Sequence, residues 1–159
     1  MAKWTVGKGL DEYIALLGNL EFKSPVIIGR STYEGAKIVA DQIKANIAAL
    51  PVAEKYKHGE RRNPTQAEKD GMLEGLGIAT HRVDGSFYNV KIGMDGYNNV
   101  RSPKYPNGIP NALVARATES GTTFRNRIPF VSNAVRASKA AAESAMKDEV
   151  DKQISQIMK

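Results

Sequence analysis

SPVIIGRSTYEGAKIVADQIKANIAALP, residues Ser24 to Pro51, decides the architecture. Along it Ile28, Gly35, Ile38, Val39, Gln42, Ile43, Ile47 and Leu50 recur at steps of three and four. That spacing gathers them on one face of a helix. Ser24 reads as an N-cap, whose hydroxyl can accept from the first free N–H groups. Pro25 suits the first helical position, where a missing N–H leaves nothing unpaired. Pro51 cannot continue the run. The stretch predicts a long amphipathic helix over about 25–50, thinned by Gly29, Gly35, Ala36, Ala40 and Ala45 so that a neighbouring backbone can approach.

Working outward, Leu10, Ile14 and Leu17, with Tyr13, Leu16 and Leu20 beside them, predict a separate short helix from about Asp11 to Leu20. After Pro51 the periodicity stops, and residues 51–66 read as an exposed, mobile loop. Thr65 with Glu68 three residues on has the form of a capping box for a short helix through Leu76, weakened by Gly71, Gly75 and Gly77. Two alternating runs then flank Asp84-Gly85, which predicts a hairpin over about 78–93. Its two faces differ only in part, so the second face is either covered within the chain or open to a partner. Residues 95–110 carry Asp-Gly, Ser-Pro, Tyr-Pro, Asn-Gly and Ile-Pro, which is turn chemistry throughout, and read as a second mobile loop. A short helix ended by Gly121 follows.

The last element starts near Pro129 and runs to about 158, with Val131, Val135, Ser138, Ala142, Ala145, Met146, Val150, Ile154 and Ile157 as its apolar stripe. At ~1.5 Å per residue it would extend roughly 45 Å, further than a small domain is wide, so part of it is predicted to pack on another chain. The fold class expected is α+β: a small antiparallel sheet that includes the hairpin, packed with two long helices. Residues 1–159 form one domain, with no internal repeat and no dividing linker.

Composition narrows the function. The chain is 42% hydrophobic and 25% charged, enough apolar content for a core and unlike a disordered chain. No twenty-residue apolar run is present and the opening residues lack a signal-peptide pattern, so no membrane segment is expected and synthesis is expected in the cytoplasm. With no cysteine, disulfides, thiol catalysis and thiolate metal sites are excluded. His58 sits in a charged loop and His81 in a strand, which is no metal constellation. Ser120-Gly121-Thr122 lacks the GxSxG frame, and no GxxxxGK[ST] is present. The expectation is a protein that is not an enzyme and has no metal and no cofactor.

A formal charge of +6 suits an acidic partner: nucleic acid, a membrane surface or a protein. Its distribution matters more than its sum. Arg30, Lys37 and Lys44 alternate with Glu34 and Asp41 along the predicted helix and read as a solvated face. Between Val100 and Ile128, by contrast, Arg101, Lys104, Arg116, Arg125 and Arg127 face a single acid, Glu119. Tyr97, Tyr105 and Phe124 lie among them. Basic loops bearing aromatics can meet phosphates and bases or an acidic protein surface. The stretch ESGTTFRNRIPF, Glu119 to Phe130, places Arg125 and Arg127 in a loop between two helices, with Pro129-Phe130 opening the second.

The order of these motifs resembles the phage tail-component family, the head-tail joining or tail-completion proteins of long-tailed bacteriophages. The residues that carry the likeness are Gly9-Leu10-Asp11-Glu12, a helix ending Leu50-Pro51-Val52, the hairpin, Glu119-Ser120-Gly121-Thr122, and Pro129-Phe130 before an alanine-rich terminal helix. They span nearly the whole chain. The resemblance implies a structural protein of the virion neck that completes or terminates the tail. It would form a homo-oligomeric, six-fold ring that contacts the tail tube protein and the head connector or adaptor, with DNA passing through. Arg101, Lys104, Tyr105, Phe124, Arg125, Arg127 and Phe130 are the candidate interface residues. The other reading is a small basic nucleic-acid-binding protein that uses the Arg101–Arg127 surface.

Overall fold

A computed structural model of the chain describes residues 8–54, 59–84 and 87–158, with side chains from Asp11 onward. His58, Gly85 and residues 55–58 of the first loop lie outside the described residues.

The two helices expected before Pro51 are one. Helix α1 spans Lys8–Ala48 and passes through Ser24-Pro25 without ending. A proline inside a helix has no N–H for the carbonyl four residues back. Here that carbonyl belongs to Glu21, and the Ser24 hydroxyl donates to it instead, at 2.8 Å. The pair that reads as N-cap and first turn thus works as a mid-helix repair, with the Ser hydroxyl turned back along the helix.

Helix α4, Phe130–Ile157, lies antiparallel to α1. The Asn46 side-chain amide donates to the Phe130 carbonyl at 2.8 Å, Gly35 meets Met146, and Arg30 reaches Gln153 at 3.5 Å. Small residues make the contact close: Ser31, Gly35, Ala36 and Ala40 on α1 are buried, as are Ala134, Ser138 and Ala142 on α4. This moves the buried stripe of α1 by one residue from the expected one in its first half. Ile27 is inside, whereas Ile28 is 37% exposed. From Ile43 to Leu50 the expected and observed faces coincide. The length of α4 is also explained within the chain, since α1 covers it, and it does not need another molecule as its main partner.

Between the long helices the chain forms α2 (Gln66–Gly75), β1 (Leu76–Ile78), β2 (Arg82–Asp84), β3 (Phe87–Asn89), β4 (Ile92–Met94) and α3 (Asn111–Ser120). The structure is α+β. The predicted hairpin is present as two short antiparallel ladders in one line. Leu76 pairs with Met94 and Ile78 with Ile92 in the inner ladder, and Arg82 pairs with Asn89 in the outer one. Ala79 N–H donates to the Lys91 carbonyl between them. The inner ladder packs its half-buried Leu76, Ile78, Ile92 and Met94 toward the helices, while Val83 and Phe87 at the outer end are exposed. His81 lies over α1, its ring 3.1 Å from where a Cβ on Gly29 would be.

The core sits at the C-terminal end of α1. Ile43, Ile47 and Leu50 meet Met72 of α2, Val114 of α3, and Phe130 and Ala134 of α4. Residues 95–110 are tied to this end. The buried Asn98 accepts from the Val100 and Ile109 N–H groups through its side-chain oxygen, and Asn111 donates to the Asp95 carbonyl at 2.8 Å. That packing explains Gly71: a Cβ there would fall 2.5 Å from the Asn111 side-chain oxygen. Gly71 makes room for the loop, whatever it costs α2 in propensity.

The continuity of α1 makes a measurable difference. Pro25 is exposed and mid-helix, so Pro25→Ala should stabilise the protein by roughly 1–3 kcal/mol and raise its helical circular dichroism signal. A helix that began at Ser24 would gain nothing from the change.

Candidate functional site

The basic loop from Glu119 to Ile128 is fixed at both ends by carboxylates that sequence spacing does not pair with it. On the first side stands Glu68. The capping box of α2 is present: the Thr65 hydroxyl accepts from Glu68 N–H, and the Glu68 carboxylate accepts from Thr65 N–H at 2.7 Å. The same carboxylate receives two guanidiniums. Arg62 donates to its two oxygens at 2.8 and 3.0 Å, and Arg125 at 3.2 and 2.7 Å. Both pairs are bidentate, the geometry in which arginine holds a carboxylate most strongly. The backbone joins in. Arg62 N–H donates to the Phe124 carbonyl and Asn126 N–H to the Arg62 carbonyl, each at 3.0 Å. The loop is therefore stitched to residues 62–68.

Glu68 is 0% exposed. Burial pushes its carboxyl up, but hydrogen bonds from Arg62, Arg125 and the Thr65 backbone outweigh this and hold its pKa down at about 2, against an ordinary 4.5.

On the second side stands Glu119, near the end of α3. Its carboxylate accepts from the N–H groups of Val131 at 2.8 Å and Ser132 at 3.0 Å, and from the Ser132 hydroxyl. A carboxylate at the first turn of a helix satisfies free donors and meets the positive end of the helix dipole. The first turn of α4 is capped from another helix. Pro129 itself offers no side-chain cap. Gly121 closes α3 at φ 73°, a left-handed conformation, and a Cβ there would fall 2.9 Å from that of Arg127.

This framework re-sorts the candidate interface residues. Phe130 is 3% exposed and belongs to the core; it anchors α4 and has no surface to offer. Arg125 is 8% exposed and turned inward, because the buried Glu68 carboxylate requires its guanidinium. Neither is presented to a neighbour or to DNA. Arg101, Lys104 and Arg127 are exposed, and so is Arg116 of α3. Phe124 stands out at 68% exposure. Lys104 lies 5.6 Å from the centre of the half-buried Tyr105 ring, a cation–π contact. A cavity of about 220 Å³ opens between these loops and α3, walled by Tyr105, Ile109, Leu113, Ala117 and Phe124, with the Arg125–Glu68 pair at its edge. It is an apolar pocket, and the charged side chains that line it, Arg62, Arg125 and Glu68, are paired with one another.

Sequence reasoning found Glu68 as a capping residue but not as a clamp, and it did not single out Arg62 or the capping role of Glu119. Arg125 and Glu68 lie 57 residues apart, a separation at which no spacing rule applies. Among the described residues no group of three His, Asp or Glu side chains stands close enough to hold a metal ion, and no helix is long and apolar enough to cross a membrane.

Two consequences can be checked by denaturation. Since the folded pKa of Glu68 lies below its unfolded value, its contribution is complete above about pH 4.5 and lost as pH falls toward 2. The shift corresponds to roughly 3 kcal/mol, so urea midpoints should fall through that window, and Glu68→Gln should remove much of this acid limb while lowering stability at neutral pH. Arg125→Glu should destabilise by about 3 kcal/mol or more, because it sets two carboxylates together in the interior. Arg127→Glu, on the surface, should stay within about 0.5 kcal/mol of the parent. No family model, characterised protein or solved structure matches the chain, so its function has to be read from the fold and from the placement of these side chains.

Proposed function

We propose that the chain is a structural assembly protein of the neck of a long-tailed bacteriophage. In this reading it completes or terminates the tail and joins it to the head connector as a homo-oligomeric, six-fold ring through which DNA passes. It is made in the host cytoplasm and resides in the virion. Its partners are copies of itself, the tail tube protein and the connector or adaptor. It carries out no covalent chemistry and needs no cofactor.

The observation that carries the reading is the overhang of α1. Helix α4 ends at Ile157, about one turn beyond the Gln153 that meets Arg30. From Asp11 to Val26 no residue of α1 is buried, and Tyr13, Ile14, Leu17, Phe22 and Val26 are exposed. A monomeric protein does not keep such a face in water without a use for it. The resemblance of the motif order to that of the phage tail-component family points to the kind of assembly.

The second reading, a nucleic-acid-binding protein, is favoured by one feature: Arg101, Lys104, Arg116 and Arg127 are exposed in the same region as Tyr97 and Phe124. Salt separates the two. Light scattering at rising concentration should show a large species that persists at high salt, and electron microscopy should show it as a ring with a central hole. A chain that stays monomeric, is not recruited by purified tails or connectors, and binds DNA with a steep loss of affinity in salt would transfer the assignment to the second reading.

A further inference from the structure

Asn107-Gly108 is the one Asn-Gly step in the chain. An asparagine before a glycine is the least hindered setting for an intramolecular attack. The backbone nitrogen of the next residue can reach the side-chain amide carbon, and glycine has no Cβ to obstruct it. Such a reaction needs the two atoms to come together in the right geometry. It therefore depends on whether the glycine nitrogen is free to turn.

In this fold that nitrogen is held. Tyr105, Pro106, Asn107 and Gly108 form a tight turn closed by the Gly108 N–H, which donates to the Tyr105 carbonyl at 3.2 Å. Pro106 stands where proline presets the first bend of such a turn. Gly108 is buried with φ 103°, and a Cβ on it would run into the Asn98 carbonyl. Its neighbour is pinned too. Ile109 N–H donates to the Val100 carbonyl at 3.1 Å, and the Ile109 carbonyl accepts from Asn98 N–H at 3.0 Å. The Asn98 side-chain oxygen also accepts from the N–H groups of Val100 and Ile109. Asn107 itself is exposed. The reactive side chain thus meets solvent while its nucleophile is locked into the fold.

We infer that Asn107 is a site of spontaneous deamidation whose rate is set by local opening of the 95–110 loop. In the open loop the Gly108 nitrogen gives its proton to a solvent base and bonds to the Asn107 side-chain carbonyl carbon. The bond from that carbon to the side-chain nitrogen breaks, and the nitrogen leaves as ammonia after taking a proton from water. One water molecule then opens the cyclic imide at either carbonyl, giving aspartate or isoaspartate. The net change is amide plus water to carboxylic acid plus ammonia, with no oxidation or reduction. Either product places a negative charge in the loop that carries Arg101 and Lys104. Isoaspartate also adds a methylene to the main chain just before Gly108, which moves Gly108 off its seat on Asn98. Opening must break the Gly108 N–H bond, so deamidation and hydrogen exchange at that N–H share one gate.

The test follows the peptide containing Asn107 by mass spectrometry, with its isoaspartate content, in mildly alkaline buffer with and without denaturing urea. The denatured chain should convert at Asn107. The native protein should convert about tenfold more slowly or less, by the factor that protects the Gly108 N–H from exchange. Asn98→Ala removes the clamp and keeps the reacting pair. It should bring the native rate toward the denatured one while leaving the denatured rate unchanged. Because Asn98 is buried, Pro106→Ala, at an exposed position, serves as the milder variant and should speed the native reaction in the same direction. Equal rates in native and denatured protein would overturn the inference. So would a denatured chain in which Asn107 stays intact, or a native rate that does not follow Gly108 exchange.

Discussion

The Glu68 carboxylate is the interaction on which the rest depends. Three separate parts of the chain converge on it: the start of α2 through Thr65, the preceding segment through Arg62, and the loop between α3 and α4 through Arg125. None of these segments has a large apolar face, and each carries polar backbone that needs a partner. A buried carboxylate with two guanidiniums costs much desolvation, which bidentate geometry and the backbone N–H offset. Its value is positional. Because Arg125 must face inward, Phe124 is left facing outward, and the backbone of residues 122–126 follows the track of residues 62–63.

The Glu119 carboxylate continues the same logic at the other end of the loop. It holds the first turn of α4, whose Phe130 completes the core against Ile43 and Ile47 of α1. The two long helices are therefore registered from the core end outward, and small residues let them run close together until α4 stops. Burial weakens along α4 in that direction: Phe130, Ala134, Ser138 and Ala142 are buried, whereas Met146, Val150 and Ile154 are only half so.

Features that depend on neighbours in sequence were legible without the structure. The capping box at Thr65, the hairpin around Asp84, the glycine stop at Gly121 and the start of α4 at Phe130 all follow from local rules, because each is decided within a few residues. The misreadings share a different cause. Ser24-Pro25 has the residues of a helix start, and only the Glu21 carbonyl distinguishes a cap from a repair. Ile28 outranks Ser31 or Ala36 in hydrophobicity, yet close helix packing favours the small residues, which placed the buried stripe one position away. Arg125 and Phe130 stood out in sequence as a charged loop residue and an aromatic anchor. Whether such side chains face out or in depends on partners such as Glu68, 57 residues away.

The Ser24-Pro25 step also has a mechanical meaning. It lies at the boundary between the part of α1 braced by α4 and the part that α4 does not cover, and it is where the backbone lacks one of its own hydrogen bonds. Bending stiffness in a helix comes from its continuous ladder of such bonds, and a proline inside the helix is where kinks concentrate. The junction is therefore the place along α1 where a change of direction would disturb the fewest backbone hydrogen bonds. A bend so placed would redirect the first part of α1 without disturbing the core, which lies at the far end of the helix.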